Sequence, residues 1–125
     1  MARIRSKDTT PEMIVRKTAH SLGYRYRLHK RSLPGTPDLY LKKHGTAIFV
    51  HGCFWHQHRD CVFATEPKSR VDFWLPKLRG NVQRDERNAG LLSNMGLRVL
   101  TIWECETRDK AQLITKLRSF MERSP

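Results

Sequence analysis

Near the amino terminus, apolar and polar residues recur with the period of a helix. The segment TTPEMIVRKTAHSLG opens with Thr9 and Thr10, either of which can cap a helix, places Pro11 in the first turn, and ends at Gly23. The pattern therefore predicts a helix between the threonines and Gly23. The residues expected on its buried face are Met13, Ile14, Ala19 and Leu22.

A period of two replaces the helical period after this segment. Residues 24–29, YRYRLH, alternate apolar and basic side chains, which predicts a strand with one cationic face. Two prolines in the following turn-rich connector restrict the backbone just before Asp38. Residues 39–41 and 47–50, separated by KKHG, then predict a hairpin. Its second strand, AIFV, is continuously apolar and is expected to be central in the sheet.

The second half of the chain is predicted to contain a helix, a strand and a closing helix. The first helix covers residues 72–96, with a break expected near Pro76 or Gly80. LRVLTIWEC, residues 97–105, predicts a strand, and residues 107–123 predict an amphipathic helix. The apolar residues expected to be buried by these helices are Val82, Ala89, Leu91, Leu92, Met95, Leu113, Ile114, Leu117, Phe120 and Met121.

Size and charge narrow the class of protein. A chain of 125 residues suits a single domain, with residues 1–8 as a short basic arm. Lysine and arginine number 24 against 12 acidic residues, so the formal net charge is +12. Such an excess indicates a polyanionic partner, with nucleic acid the first candidate. A membrane is disfavoured, because the sequence has neither a spanning apolar run nor a strongly amphipathic basic segment.

The start of the chain and its cysteines indicate a reducing compartment. Met1 is followed by basic residues without an apolar stretch, so we expect no signal peptide. Three cysteines, an odd number, beside histidines fit a cytoplasmic metal-binding protein better than a disulfide scaffold.

The segment His51–Cys61, HGCFWHQHRDC, concentrates metal-ligand side chains in one loop. Cys53, His58 and Cys61 are close enough along the chain to surround a single ion, and Cys105 could supply a fourth ligand from the distant predicted strand. Zinc closes its structural sites with four such ligands. The alternative is three unrelated buried thiols and a surface histidine.

Two histidines and two aromatic residues of the same loop lie outside this quartet. His51 and His56 could act as general acid or base, or could be polar loop residues or alternative zinc ligands. Phe54 and Trp55 would find little core in a metal-tied loop. Aromatic and apolar side chains of this kind can be wedged between DNA base pairs.

The predicted hairpin also brings a carboxylate to this loop. Asp38 begins the first strand, so it is expected near the end of the second, where Val50 and His51 lie. One carboxylate and a backbone carbonyl beside phosphate and water form a site that suits magnesium. The alternative for Asp38 is the common role of closing a turn.

Five segments of the chain resemble those of a known protein family. The segments SKDTTPE, LPGTPDLYL, AIFVHGCFWHQHRDC, FWLPKLRGNVQRD and LRVLTIWEC, in this order and spacing, resemble the very short patch repair (Vsr) DNA mismatch endonucleases. The resemblance covers nearly the whole chain. It implies an α/β fold of the restriction-endonuclease-like class, a PD-(D/E)XK variant with a central mixed β-sheet flanked by helices and a structural zinc loop.

The resemblance also implies an activity and its catalytic residues. The activity is a magnesium-dependent nick in one DNA strand, 5′ to the thymine of a T:G mismatch left by deamination of 5-methylcytosine. Asp38 and the carbonyl of Val50 would bind magnesium, and Glu12 would be the active-site glutamate on the first helix. His56 would activate water while His51 stabilises the phosphate or leaving group, although these two roles could be interchanged. For Glu12, the alternative is a favourable charge at a helix start.

Further residues are implied to bind zinc or DNA. The implied zinc ligands are Cys53, His58, Cys61 and Cys105. The implied DNA contacts are Phe54, Trp55 and Trp74 as a wedge from the major groove, Lys77 and Asn81 at the mismatched pair, and Met1 and Ile4 at the minor groove.

The expected partner is double-stranded DNA containing a T:G mismatch, in the bacterial cytoplasm near the nucleoid. A single-strand nick needs only a monomer, and mismatch-repair proteins are candidate partners. Two alternatives remain. One is a Vsr-like nuclease that recognises another DNA structure or sequence, and the other is a zinc-stabilised DNA-binding module without catalysis.

Overall fold

A single β-sheet with helices on both faces forms the framework of the protein. The computed structural model describes residues 9–62, 64 and 69–123. Its elements in chain order are α1 (Thr10–Ser21), β1 (Arg27–Leu28), β2 (Leu39–Leu41), β3 (Thr46–His51), α2 (Val71–Asn94), β4 (Arg98–Trp103) and α3 (Lys110–Glu122). Helix, three strands, helix, strand and helix therefore follow one another as predicted.

The four strands lie in the order β1-β2-β3-β4, and their directions are mixed. β2 is antiparallel to β1 and β3, whereas β4 runs parallel to β3 with Val50 opposite Ile102. The β2–β3 turn is a short 3-10 helix, Lys42–His44, closed by Gly45 at a φ of 56°. The crossover through α2 brings β4 alongside β3, so β3 is a central strand, as its apolar sequence predicted.

β3 contributes to a core on each face of the sheet, which explains its continuous apolar sequence. On one face, Ile48 packs with residues of α1, β4 and α3. On the other face, Ala47 and Phe49 pack with Leu92 of α2. The buried residues of the first core are Val15, Ala19, Leu39, Leu41, Ile48, Leu100, Ile102, Leu113 and Leu117. None of the described helices is both long and apolar enough to cross a bilayer.

Two predicted elements differ from the structure. Only Arg27–Leu28 of the expected six-residue strand pairs with β2, because β1 is an exposed edge strand with little apolar surface to bury. The predicted helix break is also wrong, since Val71–Asn94 is one helix with Pro76 inside it. Pro76 lies in the second turn, where its missing N–H removes one intrahelical hydrogen bond, that to the carbonyl of Asp72.

The helix faces also differ in part from the prediction. Met13, Leu91 and Met95 are exposed at 36%, 45% and 56%, whereas Val15 and Leu78 are buried. In α1 the buried stripe includes the polar side chain of Glu12. A pattern of apolar side chains does not include a buried carboxylate, so the predicted buried face of α1 contained Met13 and not Glu12. Ile114 is only half-buried. The other residues expected to be buried in these two helices pack in or against the core, namely Ile14, Ala19, Leu22, Leu113, Leu117, Phe120 and Met121.

Candidate active site

Asp38 lies immediately before β2 and faces the end of β3. Its Oδ2 accepts a hydrogen bond of 2.8 Å from the backbone N–H of Val50. A strand residue directs its N–H and C=O to the same side, so the Val50 carbonyl lies on the side of β3 that faces Asp38. Burial raises the pKa of Asp38 to about 7; the Val50 hydrogen bond opposes this rise, and the neighbouring Glu12 carboxylate adds to it.

Glu12 brings a second carboxylate to the same place from α1. Its backbone N–H donates to the hydroxyl of Thr9, which caps the helix. The side chain is only 2% exposed and forms an ion pair with Arg16 one turn along the helix. On its other side, Nε2 of His29 lies 2.9 Å from Glu12 Oε2. These partners compensate the cost of burying the carboxylate.

Glu12, His29 and Asp38 offer donor atoms that all lie within 4.8 Å of one another. That spacing allows one cation to contact more than one of them. The two carboxylates and the nearby Val50 carbonyl are hard oxygen donors of the kind that magnesium prefers. The residues present therefore fit a divalent ion at the junction of α1, β2 and β3.

His56 and Asp85 form a second cluster, together with His51. His56 Nδ1 lies 2.6 Å from Asp85 Oδ2, and His51 Nε2 lies 3.9 Å from Asp85 Oδ1. The two imidazole rings stack at a centroid distance of 3.8 Å and an angle of 6°. Because a carboxylate only accepts hydrogen bonds, Nδ1 of His56 carries the proton, and Nε2 of the neutral ring is left able to accept one.

His51 is held as a neutral ring. Burial is the main cause that lowers the pKa of His51 to about 4; the nearby His56 contributes, and Asp85 opposes the shift. Within the described part of the chain, its Nδ1 has no hydrogen-bond partner. The ring can therefore donate or accept one hydrogen bond without carrying charge.

Both clusters open onto one cavity of about 450 Å³. Its lining includes Asp38, His51, His56 and Asp85, so the two groups of side chains face a shared space. Gly35 allows the connector before β2 to form one wall. It has a φ of +77°, and a Cβ at this position would lie 3.0 Å from the side chain of Asn88 on α2. A larger residue would therefore separate the connector from α2.

The four predicted zinc ligands converge as expected. The ligand atoms of Cys53, His58, Cys61 and Cys105 lie within 4.8 Å of one another. His58 Nδ1 is 3.7 Å from Cys53 Sγ and 3.5 Å from Cys105 Sγ. These separations match the edges of about 3.6 Å expected for ligands around tetrahedral zinc. The four residues can therefore hold a zinc ion.

The surroundings of this cluster connect distant parts of the chain. Cys105 lies in a 3-10 turn, Glu104–Arg108, just after β4 rather than within the predicted strand. The ring of His58 stacks on Trp103 at 4.1 Å, which fixes its orientation. Burial raises the pKa of Cys53 to about 12 and also raises that of Cys105, so a cation is needed to ionise these thiols near neutral pH.

The predicted wedge residues form one aromatic cluster. Ring centroids are 5.2 Å apart for Phe54 and Trp55, 5.6 Å for Trp55 and Trp74, and 6.1 Å for Phe54 and Trp74. Phe73 extends the cluster and is 46% exposed. Lys77 lies with its ammonium 5.1 Å from the Phe73 ring. The cluster joins the loop after β3, residues 52–61, to the first turns of α2.

Asn81 connects the same two elements in a different way. Its side-chain amide donates a hydrogen bond of 3.0 Å to the Trp55 carbonyl, and its oxygen accepts one from Arg84. Asn81 therefore holds the loop that carries the aromatic residues. Met1 and Ile4, the expected minor-groove contacts, lie outside the described residues.

Sequence reasoning missed two members of the site, Asp85 and His29. Asp85 lies on a highly charged stretch of α2, where its composition does not distinguish it from solvated neighbours. Its only signal was its place at the end of the segment FWLPKLRGNVQRD. His29 ended a predicted strand and carried no separate signal.

The chain is similar in sequence to known DNA endonucleases. A family model described as DNA mismatch endonuclease Vsr matches residues 1–62. The chain is 46% identical over 124 residues to the type II nicking enzyme V.XorIIP of Xanthomonas oryzae, covering 99% of this chain and 90% of that protein. It is 39% identical over 113 residues to the DNA mismatch endonuclease Vsr of Escherichia coli, covering 90% and 72%.

The fold also matches a solved nuclease domain. The catalytic domain of the homing endonuclease I-Bth0305I aligns with a TM-score of 0.64 and 27% sequence identity, covering 90% of this chain and 94% of that domain. The sheet and these matches define a DNA endonuclease with a restriction-endonuclease-like fold. Within that class, the chain belongs to the Vsr family.

Proposed function

We propose that this protein nicks one strand of DNA 5′ to the thymine of a T:G mismatch produced by deamination of 5-methylcytosine, and so initiates very short patch repair. The observation that carries the proposal is the convergence of Asp38 and the His56–Asp85 pair on one cavity. A metal-binding carboxylate and a base held by a second carboxylate are the groups that phosphodiester hydrolysis needs.

Asp38 and the Val50 carbonyl would hold magnesium, with Glu12 beside them. When bound, the ion would neutralise charge on the scissile phosphate and orient it. The chain's own contribution is to hold the oxygen donors in place, through the Val50 hydrogen bond to Asp38 and the Arg16 ion pair to Glu12. Both contacts come from elements that are anchored in the core.

His56 is the proposed general base. Its Nε2 accepts a proton from the attacking water, and Asp85 keeps the ring in the required tautomer through Nδ1. His51, a neutral ring stacked on His56, would donate a hydrogen bond to the phosphate or the leaving oxygen. The stack also limits rotation of His56.

Zinc is the proposed structural ion of Cys53, His58, Cys61 and Cys105. The loop that supplies three of these residues also carries His56 and follows His51. A zinc ion would therefore fix the catalytic histidines by anchoring their loop to the turn after β4.

The aromatic cluster and the basic surface support DNA as the substrate. Phe54, Trp55 and Trp74 would enter the base stack, which costs a few kcal/mol per unstacked step. A T:G wobble pair deforms more easily than a matched pair, so part of the mismatch preference would come from this cost. Lys77 and Asn81 lie beside the cluster and would approach the mismatched pair.

The experiment is a nicking assay on two duplexes that differ only in carrying T:G or T:A. Each is incubated with and without added magnesium, because a strong chelator would also strip zinc. Cutting of the T strand alone, only in the T:G duplex and only with magnesium, is the expected result. Binding without cutting under all conditions would instead indicate a zinc-stabilised DNA-binding module.

A second candidate is a Vsr-like nuclease with a different DNA specificity. Two relatives favour it, because proteins 46% and 44% identical to this chain, from Xanthomonas oryzae and Neisseria meningitidis, are named type II nicking enzymes. Equal magnesium-dependent cutting of the T:G and T:A duplexes would support this candidate and contradict mismatch specificity.

A further inference from the structure

His29 links the two carboxylates of the proposed magnesium site. It follows β1 directly, and its backbone N–H donates a hydrogen bond of 3.2 Å to the carbonyl of Asp38. Its side-chain Nε2 lies 2.9 Å from Oε2 of Glu12. One residue therefore contacts Asp38 through its main chain and Glu12 through its imidazole.

The backbone of His29 is strained, which is consistent with a functional constraint. Its φ is +48°, in the left-handed region that non-glycine residues adopt infrequently. Such a conformation persists when surrounding contacts determine it, and strained residues cluster at functional sites. The contacts of His29 to Asp38 and Glu12 restrict its main chain and its side chain.

The ion pair of Arg16 with Glu12 does not replace the contact that the His29 imidazole makes with Glu12. Its guanidinium forms an ion pair with Glu12, and its Nη2 also lies 3.5 Å from Nε2 of His29. Arg16 supplies charge from the same helix as Glu12, whereas His29 approaches from the sheet edge and lines the cavity. Two partners from different elements restrict the Glu12 carboxylate more than a flexible arginine alone would.

We propose that His29 is a positioning residue that fixes Glu12 against Asp38 and so sets the affinity of their shared site for a divalent cation. The inference rests on the proposed function in one respect, since it assigns the cation site to the nuclease reaction. The binding of the ion itself is measured separately below.

Three substitutions separate the roles of side chain and backbone. His29→Gln keeps a donor near the position of Nε2, so it can still bond Glu12. His29→Asn suits the left-handed backbone but is too short to reach Glu12. His29→Leu removes both features. His20→Gln, at an exposed histidine in the last turn of α1, is the matched control.

Two readouts are compared for each variant with zinc retained. The first is the magnesium concentration that gives half the maximal nicking rate. The second is Mn²⁺ binding in the absence of DNA, followed by electron paramagnetic resonance of the unbound ion. Thermal denaturation identifies any variant that fails to fold.

We expect His29→Leu and His29→Asn to need about 10-fold more magnesium or higher and to weaken Mn²⁺ binding similarly, as found for residues that orient metal ligands. His29→Gln should stay within about 3-fold of the parent protein, and His20→Gln should not differ from it. Unchanged metal dependence in His29→Asn, or a defect in His29→Gln as large as in His29→Leu, would overturn the proposal. Failure of the parent protein to nick any duplex would refute the proposed function, and Mn²⁺ binding would still decide the role of His29.

Discussion

His56 Nδ1 and Asp85 Oδ2 lie 2.6 Å apart and connect the loop after β3, residues 52–61, to α2, although 29 positions separate the two residues in the chain. The contact connects the proposed base to a rigid helix. The loop around His56 contains two residues with positive φ, Gln57 at 48° and Asp60 at 58°. Because such conformations persist when surrounding contacts determine them, the His56–Asp85 contact helps to fix the conformation of this loop.

Asp85→Asn is expected to reduce nicking strongly while leaving DNA binding nearly unchanged. An amide can either donate or accept, so it no longer requires the proton to stay on Nδ1 of His56, and part of the population loses its base. A loss of about 100-fold or more is expected for disrupting general base catalysis. Single-turnover nicking and fluorescence anisotropy measure the two properties. Glu86→Gln, at the exposed neighbouring position, is the control, and equal rates in both variants would contradict the role of Asp85.

Asp38→Ala is expected to abolish nicking and retain binding to the T:G duplex. It removes the carboxylate that accepts the Val50 N–H and that would bind magnesium. The positive net charge and the aromatic cluster, which are proposed to bind DNA, are unaffected. Gel retardation and nicking on the same duplex test the separation. Retained nicking in magnesium would refute the assignment of Asp38.

Asp38 should also make stability depend on pH when magnesium is omitted. Its pKa is about 7 in the folded protein against an ordinary value of 3.8. Between these values the unfolded chain has lost a proton that the folded protein retains, so the free energy of unfolding falls as pH rises. The fall is at most about 1.4 kcal/mol per pH unit, and the loss persists above pH 7.

Asn at position 38 cannot ionise, so the free energy of unfolding of Asp38→Asn should not show this fall. The stability of the variant minus that of the parent protein is therefore expected to be larger at pH 8 than at pH 4, by a few kcal/mol. Urea denaturation at a series of pH values provides the comparison. Asp72→Asn, at an exposed position in the first turn of α2, serves as the control. Parallel stability curves for the parent protein and Asp38→Asn would contradict the shifted pKa.

Local sequence patterns predicted the parts of the fold in which burial or helix capping alone decides the structure. The apolar run of β3 is buried on both faces, and the Thr9 cap and Gly23 bound α1 as expected. The predictions were wrong where the position of a residue in the fold overrides its usual preference. Pro76 is tolerated because it lies near a helix start, and Glu12 occupies a core-facing position that hydrophobic patterns do not include.

The site was predictable to the extent that its residues are close in sequence or joined by a hairpin. The hairpin indicated that Asp38 would lie near Val50, and spacing indicated three of the four ligands in the cysteine cluster. Asp85 and His29 reach the site through tertiary packing of α2 and the edge strand. No local period encodes that packing, so these two residues required the structure.

Loss of the proposed zinc ion from the cluster of Cys53, His58, Cys61 and Cys105 is expected to lower both stability and nicking. Cys105→Ser breaks the link between the loop and the turn after β4, and His58→Ala removes the ligand stacked on Trp103. For a chain of this size, a loss of about 3 kcal/mol corresponds to a fall in Tm of about 10 °C. Calorimetry and elemental analysis should show the fall together with loss of zinc. His44→Ala, at a histidine outside the cluster, is the control, and full zinc content in Cys105→Ser would contradict the assignment.

Trp74→Ala is expected to weaken binding to the T:G duplex more than binding to the T:A duplex. Trp74 packs against Phe54 and Trp55 from α2, so its loss removes one proposed wedge residue and the ring against which the others pack. Base stacking on an aromatic side chain contributes about 1–3 kcal/mol, which corresponds to a loss of about 5-fold to 160-fold in affinity. Because a matched pair resists deformation, the T:A complex depends less on the wedge. Anisotropy titrations give both affinities, and 2-aminopurine fluorescence beside the mismatch reports unstacking. An equal loss on both duplexes, with unstacking intact, would show that Trp74 supports the fold rather than mismatch recognition.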